Sequence, residues 1–258
     1  MKIQFSEIHV ALKGKEILSG VTITAASNQV TGIAGPNGSG KSTLIKTFFS
    51  LVPVSKGTIT LEERPIDKIS KKHLAQKVAY VGQESPCLFN FTLRELVAMG
   101  RYPHSDQGNE TSTKAKVDWA LKELHLTHLA DRGIQNLSGG ERKLAYLAKA
   151  LVQEADSIIL DEPTNHLDIQ HQLFILDYLK KSGKTILVVI HDLQLATRYC
   201  DAIYLLKHGQ NHGWGTPGKV LTRENVASVF SVQGGAVQNP SGQYTFQLDT
   251  LNYSDPQI

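Results

Sequence analysis

Four short apolar runs, in which hydrophobic and polar residues do not alternate, recur along the chain. They occupy residues 30–34, 78–81, 157–160 and 185–190. Strands that helices cover on both faces have this pattern, because neither face meets water. The runs therefore predict the strands of a mostly parallel sheet.

Helical periodicity lies between these runs. Apolar residues recur at positions i, i+3, i+4 and i+7 in two sets: Leu144, Leu147, Ala148 and Leu151, and Val117, Ala120, Leu121 and Leu124. Each set gives a helix one apolar stripe. Alternating strands and helices predict an α/β protein whose sheet is flanked by helices. From about residue 84 to residue 154 helical patterns dominate, so we expect a helical subdomain inserted between two core strands.

The remaining parts of the chain have patterns that differ from those of the predicted parallel sheet and its helices. Residues 1–30 and 57–61 alternate in short stretches, which predict an antiparallel β subdomain beside the main sheet. Residues 233–243 are rich in Gly, Gln, Asn and Pro. We therefore expect one main domain over residues 1–232 and a loosely attached C-terminal extension over residues 233–258.

Composition narrows the possible classes of protein. With 258 residues, 41% of them hydrophobic, the chain can bury one large core or a core with a satellite subdomain. A formal net charge of +3 is too small to predict a nucleic-acid partner. No apolar run approaches the roughly 20 residues of a membrane-spanning helix, and the first residues lack the apolar core of a signal peptide, so we expect a soluble cytoplasmic protein. Cys87 and Cys200 match no metal or redox spacing.

A glycine-rich segment follows the first of the four runs and precedes a helical segment. Its residues fit G-x-x-x-x-G-K-[ST] and are Gly35, Pro36, Asn37, Gly38, Ser39, Gly40, Lys41, Ser42 and Thr43. Such glycines let consecutive backbone N–H groups point at phosphate oxygens, and the positive end of the next helix adds to their field. Lys41 would contact the β and γ phosphates, and the Ser42 hydroxyl suits Mg²⁺. The alternative, a glycine-rich turn without a ligand, leaves Lys41 and Ser42 without a role.

Two adjacent acids end the apolar run at residues 157–160. A buried strand would deliver Asp161 and Glu162 to the carboxyl edge of the sheet, where ligands bind in such folds. Asp161 would hold Mg²⁺, and Glu162 would act as the general base for an attacking water. The alternative is a solvated pair of acids in a turn.

The segment Leu137-Ser138-Gly139-Gly140-Glu141 resembles the signature motif of ABC ATPases. By local chemistry alone, Ser138 and Glu141 form a capping box, so an ordinary helix start is the alternative. The resemblance covers about residues 2–232 and implies a RecA-like P-loop NTPase fold. It also implies that Ser138, Gly139 and Gly140 face the γ-phosphate of ATP bound to a second copy of the chain, so that hydrolysis requires a homodimer of cassettes.

The same resemblance implies roles for three further residues. Gln83 matches a glutamine that reaches Mg²⁺ and the attacking water, Asp168 matches the loop through which the two copies communicate, and His191 matches a histidine that contacts the γ-phosphate. Without the resemblance, Gln83 is a strand-end amide, Asp168 belongs to a helix-capping turn, and His191 is a structural histidine.

The sequence departs from the family pattern at two places. Residues 10–13 carry no aromatic residue to stack on adenine, so Leu12 would give apolar contact only. Lys143 stands where many relatives have glutamine, and the sequence attaches no physical consequence to this difference.

Exporters of the ABC family commonly have the cassette fused to membrane helices, and this sequence has no apolar run of that length. The resemblance therefore favours an importer whose permease is a separate polypeptide. Residues 91–97, 100–104, 165–172 and 221–230 resemble the subgroup that serves ferric siderophores, haem and cobalamin. Thr92 and Glu95 form a second capping box there. The apolar loop 85–89 would dock a helix of the permease, or it would pack inside the helical insert.

We therefore expect a peripheral subunit on the cytoplasmic face of the inner membrane, which binds permease subunits directly and a substrate-binding protein indirectly. The rival interpretations are the ATPase of another ABC transporter and a non-transport ABC protein that acts in repair, translation or cluster assembly. A metabolic P-loop kinase would not carry the signature motif.

Overall fold

The computed structural model describes residues 1–82, 91–105, 110–165 and 167–249. The strands in this part of the chain are β1 (Ile3–Leu12), β2 (Lys15–Ala25), β3 (Val30–Ala34), β4 (Lys56–Leu61), β5 (Arg64–Pro65), β6 (Val78–Val81), β7 (Ser157–Asp161), β8 (Thr185–Val189), β9 (Ala202–Lys207), β10 (Gln210–Gly215), β11 (Gly234–Gln238) and β12 (Tyr244–Leu248).

The helices in the same ranges are α1 (Lys41–Phe48), α2 (Lys71–Lys77), α3 (Leu93–Ala98), α4 (Glu110–Glu123), α5 (Gly139–Val152), α6 (Ile169–Lys181), α7 (Leu193–Tyr199), α8 (Pro217–Val220) and α9 (Arg223–Phe230). Short 3₁₀ segments lie at Ile66–Lys68, Met99–His104, Thr127–Leu129 and Ile134–Asn136. None of these described helices combines the length and the apolar character needed to cross a lipid bilayer.

The central sheet has six strands in the order β10-β9-β3-β8-β7-β6. The five strands from β9 to β6 are parallel neighbours, and β10 pairs antiparallel with β9 at one edge. Every residue of β3, β7 and β8 is buried, which explains their continuous apolar sequences. The predicted α/β fold with a mostly parallel sheet is confirmed.

The antiparallel subdomain is a four-stranded sheet in the order β2-β1-β4-β5. Its β1 and β2 are 10 and 11 residues long, longer than the short strands expected from the sequence. Alternate residues of β1, such as Phe5, pack into a core that includes Phe48 of α1 and Ile159 of β7. This core fixes α1, which follows the glycine-rich segment, against the central sheet.

The described residues between β6 and β7 form helices and 3₁₀ turns, as expected for a helical insert. The predicted apolar stripes of α4 and α5 are buried in one cluster with β7 and β8. The helical insert is therefore packed directly on the sheet.

The C-terminal segment differs from its prediction. Residues 234–248 form an antiparallel hairpin of β11 and β12, in which the side chain of Phe246 is buried. The backbone N–H of Ala236 donates a hydrogen bond to Leu221 O at 2.7 Å. Arg223 forms an ion pair with Asp249. The expectation of loose attachment is therefore wrong for residues 234–249, because an apolar side chain and backbone bonds hold them on the main domain.

Candidate functional site

The glycine-rich segment forms the turn between β3 and α1, as the motif requires. Gly35 lies so close to β9 that an added Cβ would be 2.1 Å from Leu206 O. Gly40 precedes α1 with a φ of 99°, a left-handed value that favours glycine. The turn therefore depends on glycine at both of its ends.

Lys41 points back into this turn. Its Nζ donates to Gly35 O at 2.8 Å and to Pro36 O at 2.9 Å. Burial lowers the pKa of Lys41, and the negative charges of Glu162 and Asp161 oppose this change. The ammonium thus lies in the concave side of the turn, where an incoming phosphate would compete with two neutral carbonyls for it.

Asp161 ends β7 directly opposite the start of α1. The Ser42 hydroxyl donates to Asp161 Oδ1 at 2.9 Å. Asp161 Oδ2 is buried and has no hydrogen-bond partner among the described residues. Burial raises the pKa of Asp161, and the hydrogen bond from Ser42 opposes this shift. A hydroxyl beside a carboxylate with an unpaired oxygen is a donor set that fits Mg²⁺.

Glu162 follows Asp161 and has a left-handed backbone with a φ of 55°. Its Oε1 lies 2.5 Å from Nε2 of His191, and its Oε2 accepts a hydrogen bond from Asn165 Nδ2 at 2.5 Å. Its backbone oxygen accepts a bond from Lys143 Nζ at 2.8 Å. Glu162 is therefore held through its backbone and through both carboxylate oxygens.

These groups meet because β3, β7 and β8 are parallel neighbours. The residues that follow each strand leave the sheet at the same edge. The structure therefore brings together five predicted site residues in one chain: Lys41, Ser42, Asp161, Glu162 and His191.

The signature segment, residues 137–141, contains the start of α5. Ser138 caps the helix, and the predicted capping box with Glu141 is present. The backbone bond from Ser138 lowers the pKa of Glu141. Ser138 is exposed, and the space that a Cβ on Gly139 would occupy has no neighbouring atom within 4 Å. The N-terminus of α5 is thus accessible to a second molecule.

Asp168 caps α6 by accepting a hydrogen bond from the backbone N–H of His171 at 2.9 Å. That bond lowers the pKa of the exposed Asp168 carboxyl. The His171 ring lies 2.8 Å from Asp168 Oδ1 through Nδ1 and packs against Gly140. The loop that contains Asp168 is therefore joined to the signature segment within one chain.

Two predicted features lie outside the described residues: Gln83 and the apolar loop 85–89. Leu12, the last residue of β1, is exposed. Sequence reasoning missed the contacts of Asn165 and Lys143 with Glu162. The sequence places Asn165 in the range 165–172 that resembles the importer subgroup, and it shows Lys143 only as a departure from the family pattern.

Residues 18–165 match the family model described as ABC transporter. The chain belongs to this family. The matched range contains the glycine-rich turn, the signature segment and both acids of the ABC transporter site, whereas Asp168 and His191 follow it.

Curated members of the ABC transporter family align with most of the chain. A cobalamin import ATP-binding protein of Halobacterium salinarum is 34% identical over 93% of this chain, although the chain spans only 62% of that protein's length. A hemin import ATP-binding protein of Pseudomonas fluorescens is 35% identical, covering 92% of this chain and 96% of that protein. An iron(3+)-hydroxamate import ATP-binding protein of Bacillus subtilis is 34% identical, covering 91% and 89%.

A solved structure of the same family has a similar fold. It is cbiO1 from Clostridium perfringens, part of the ABC transporter complex cbiONQ. The TM-score is 0.75 at 30% identity, and the match covers 88% of this chain and 92% of that chain. The sheet topology described above is thus typical of an ABC cassette.

Proposed function

We propose that this chain binds and hydrolyses ATP as the motor subunit of an importer for ferric siderophores, haem or cobalamin-type cargo. The observation that carries the proposal is the contact between Glu162 and His191, beside the bond between Ser42 and Asp161, at one edge of the sheet. A base, a histidine and a cation-binding pair at this position have the arrangement that nucleotide hydrolysis needs.

ATP binding would use the turn at residues 35–43. The backbone N–H groups of the turn and the start of α1 favour the charge of the phosphates. Lys41 Nζ, now bonded to two carbonyl oxygens, would turn to the β and γ phosphates, because a bond to a charged acceptor is stronger than one to a neutral carbonyl. Leu12 would offer the adenine ring apolar contact without stacking.

Hydrolysis would use Glu162 as the general base. Its carboxylate orients a water molecule toward the γ-phosphate and accepts a proton as the water oxygen bonds to the γ-phosphorus, while the bond from that phosphorus to the β,γ-bridging oxygen breaks and ADP leaves. His191 and Asn165 fix the two oxygens of the carboxylate. We also expect His191 to donate a hydrogen bond to the γ-phosphate. When bound, Mg²⁺ would offset phosphate charge; Ser42, Asp161 and Gln83 are the residues that we expect to hold it.

A second copy of the chain would complete each site. Ser138, Gly139 and Gly140 are at an accessible helix N-terminus, and such an end attracts anions. We infer that this turn contacts the γ-phosphate held by the partner chain, and that Asp168 lies at the same interface. The homodimer would then be held together by the nucleotide and would open after hydrolysis, when the charge that bridges the two chains is lost.

Transport would require a membrane permease and, indirectly, a substrate-binding protein. The names of the relatives, which include cobalamin, hemin and iron(3+)-hydroxamate import proteins, support a cargo of this class. The chain would then act as a peripheral subunit on the cytoplasmic face of the membrane. The predicted docking segment is the apolar loop 85–89.

Reconstitution tests this proposal directly. The chain and its permease are placed in proteoliposomes with ATP on the side of the cassette, and uptake of ferric hydroxamate, haem and cobalamin is measured separately. We expect ATP-dependent uptake of one of the three and release of inorganic phosphate. Uptake that is equally fast with the Glu162→Gln variant would rule out the chain as the motor.

A further inference from the structure

Lys143 connects the signature helix to the candidate base. It lies on α5, five positions after the Ser138 cap, and its Nζ donates to the backbone oxygen of Glu162 at 2.8 Å. The same oxygen is 3.4 Å from the backbone nitrogen of Asn165. The helix that begins with the signature turn is therefore joined, within one chain, to the backbone of the residue that carries the candidate base.

The backbone of Glu162 needs such support. Its φ of 55° is left-handed, a conformation that is disfavoured in residues with a Cβ. Disfavoured conformations persist where several neighbours hold them, and they often lie at functional sites. Here His191 and Asn165 hold the carboxylate, whereas Lys143, which lies on α5, bonds to the backbone oxygen.

The part of α5 that carries Lys143 is fixed by packing. Leu144, Leu147 and Ala148 of α5 are buried in the cluster that contains β7 and β8. The ammonium gives a charge-assisted hydrogen bond, about twice as strong as a bond between neutral groups. Because α5 is packed in place, the Lys143 ammonium reaches the backbone oxygen of Glu162 from a fixed helix position.

We propose that Lys143 is a positioning residue for hydrolysis. Its ammonium holds the backbone of Glu162 so that the carboxylate stays between His191 and Asn165, aimed at the attacking water. This role rests on the proposed function of Glu162 as the base.

The test compares three variants of the full chain. Lys143→Met removes the donor and keeps most of the volume, Lys143→Arg keeps a charged donor, and Lys122→Met, at an exposed position of α4, is the matched control. We expect Lys143→Met to lower kcat about tenfold to a hundredfold with unchanged KM and ATP affinity. Lys143→Arg should recover most of the rate, and Lys122→Met should equal the native chain.

A spectroscopic measurement separates positioning from folding. In the nucleotide-free protein, the ring ¹⁵N resonance of His191 should shift in Lys143→Met, because its carboxylate partner moves, and should return in Lys143→Arg. If Lys143→Met does not fold, Lys143→Ala replaces it with the same expectations, since alanine has no side-chain donor.

The outcomes distinguish this inference from the proposed function. Hydrolysis by Glu162→Gln at the native rate overturns both. If Glu162→Gln is inactive but Lys143→Met keeps the native kcat, only the inference about Lys143 fails. It also fails if Lys143→Met raises KM at constant kcat, or if Lys143→Arg is as slow as Lys143→Met.

Discussion

The carboxylate of Glu162 lies 2.5 Å from the imidazole Nε2 of His191, although the two residues are 29 positions apart in the sequence. They meet because β7 and β8 are parallel neighbours in register, with Asp161 opposite Val189. Each residue leaves its strand at the same edge of the sheet. The fold therefore places a base and a histidine beside the glycine-rich turn.

Replacing Glu162 by glutamine should separate binding from hydrolysis. The amide keeps the size of the side chain but cannot accept the proton of the attacking water, so kcat should fall about 10² to 10⁴-fold. Equilibrium binding of a fluorescent ATP analogue should be unchanged. Glu123→Gln, at an exposed position of α4, is the control and should hydrolyse ATP at the native rate. A similar rate in both variants would contradict the role of Glu162.

Gly139→Asp should block the site of the partner chain without harming the fold. Nothing lies within 4 Å of the added Cβ, and an acid in the first turn of a helix is favourable. We therefore expect an unchanged or slightly higher melting temperature, with ATPase activity reduced at least tenfold, because the new carboxylate repels the γ-phosphate. Gly139→Ala is the control for the added volume alone.

Mixing two inactive variants shows which chain supplies the signature turn. Lys41→Ala removes a residue of the nucleotide turn, and Gly139→Asp blocks the signature turn. A heterodimer of the two contains one intact site only if the two turns come from different chains. We expect about half of the native rate per heterodimer. If the mixture is as inactive as each variant alone, the site is not shared.

The sequence predicted best those features that depend on neighbouring residues. The capping boxes of Thr92 with Glu95 and Ser138 with Glu141 are both present, because each is complete within four residues. The buried strands were also predicted closely, and the observed β3 covers the same residues as its prediction. Hydrogen bonds between neighbouring residues, and the burial of a strand on both faces, can be predicted from a short stretch of sequence alone.

The features that were missed depend on long-range packing. The bond between Lys143 and Glu162 requires α5 to come close to the residue that follows β7, and nothing within either segment determines that position. The C-terminal hairpin was hidden by the Gly, Gln and Asn content of residues 233–243, which is also typical of loose tails. The residue that attaches the hairpin, Phe246, follows that stretch.

Asp161→Asn should stabilise the nucleotide-free chain while it weakens Mg²⁺-dependent hydrolysis. Burial raises the pKa of Asp161 above its ordinary value of 3.8, so its charged form is less favourable in the folded state than in the unfolded state. Stability is therefore lost as the pH rises from 3.8 through the folded pKa, and the penalty stays at neutral pH. Asparagine carries no charge and can still accept the bond from Ser42.

We expect the melting temperature of Asp161→Asn at pH 7 to exceed that of the native chain. The difference should shrink as the pH falls toward the range in which Asp161 is protonated in both states. Scanning calorimetry at several pH values, with Mg²⁺ removed by a chelator, measures both effects. An equal or lower melting temperature at pH 7 would show that the buried charge is compensated.

Phe246→Ala should destabilise the chain, because Phe246 anchors the C-terminal hairpin with only 7% of its surface exposed. Truncation of a buried phenylalanine costs about 3–5 kcal/mol, and denaturant unfolding measures this loss. Leu248 lies two residues later on the same strand with 62% exposure, so Leu248→Ala is the matched control and should change the free energy of unfolding by at most about 0.5 kcal/mol. If both variants unfold like the native chain, the hairpin contributes nothing to stability and the segment is attached as loosely as its composition predicted.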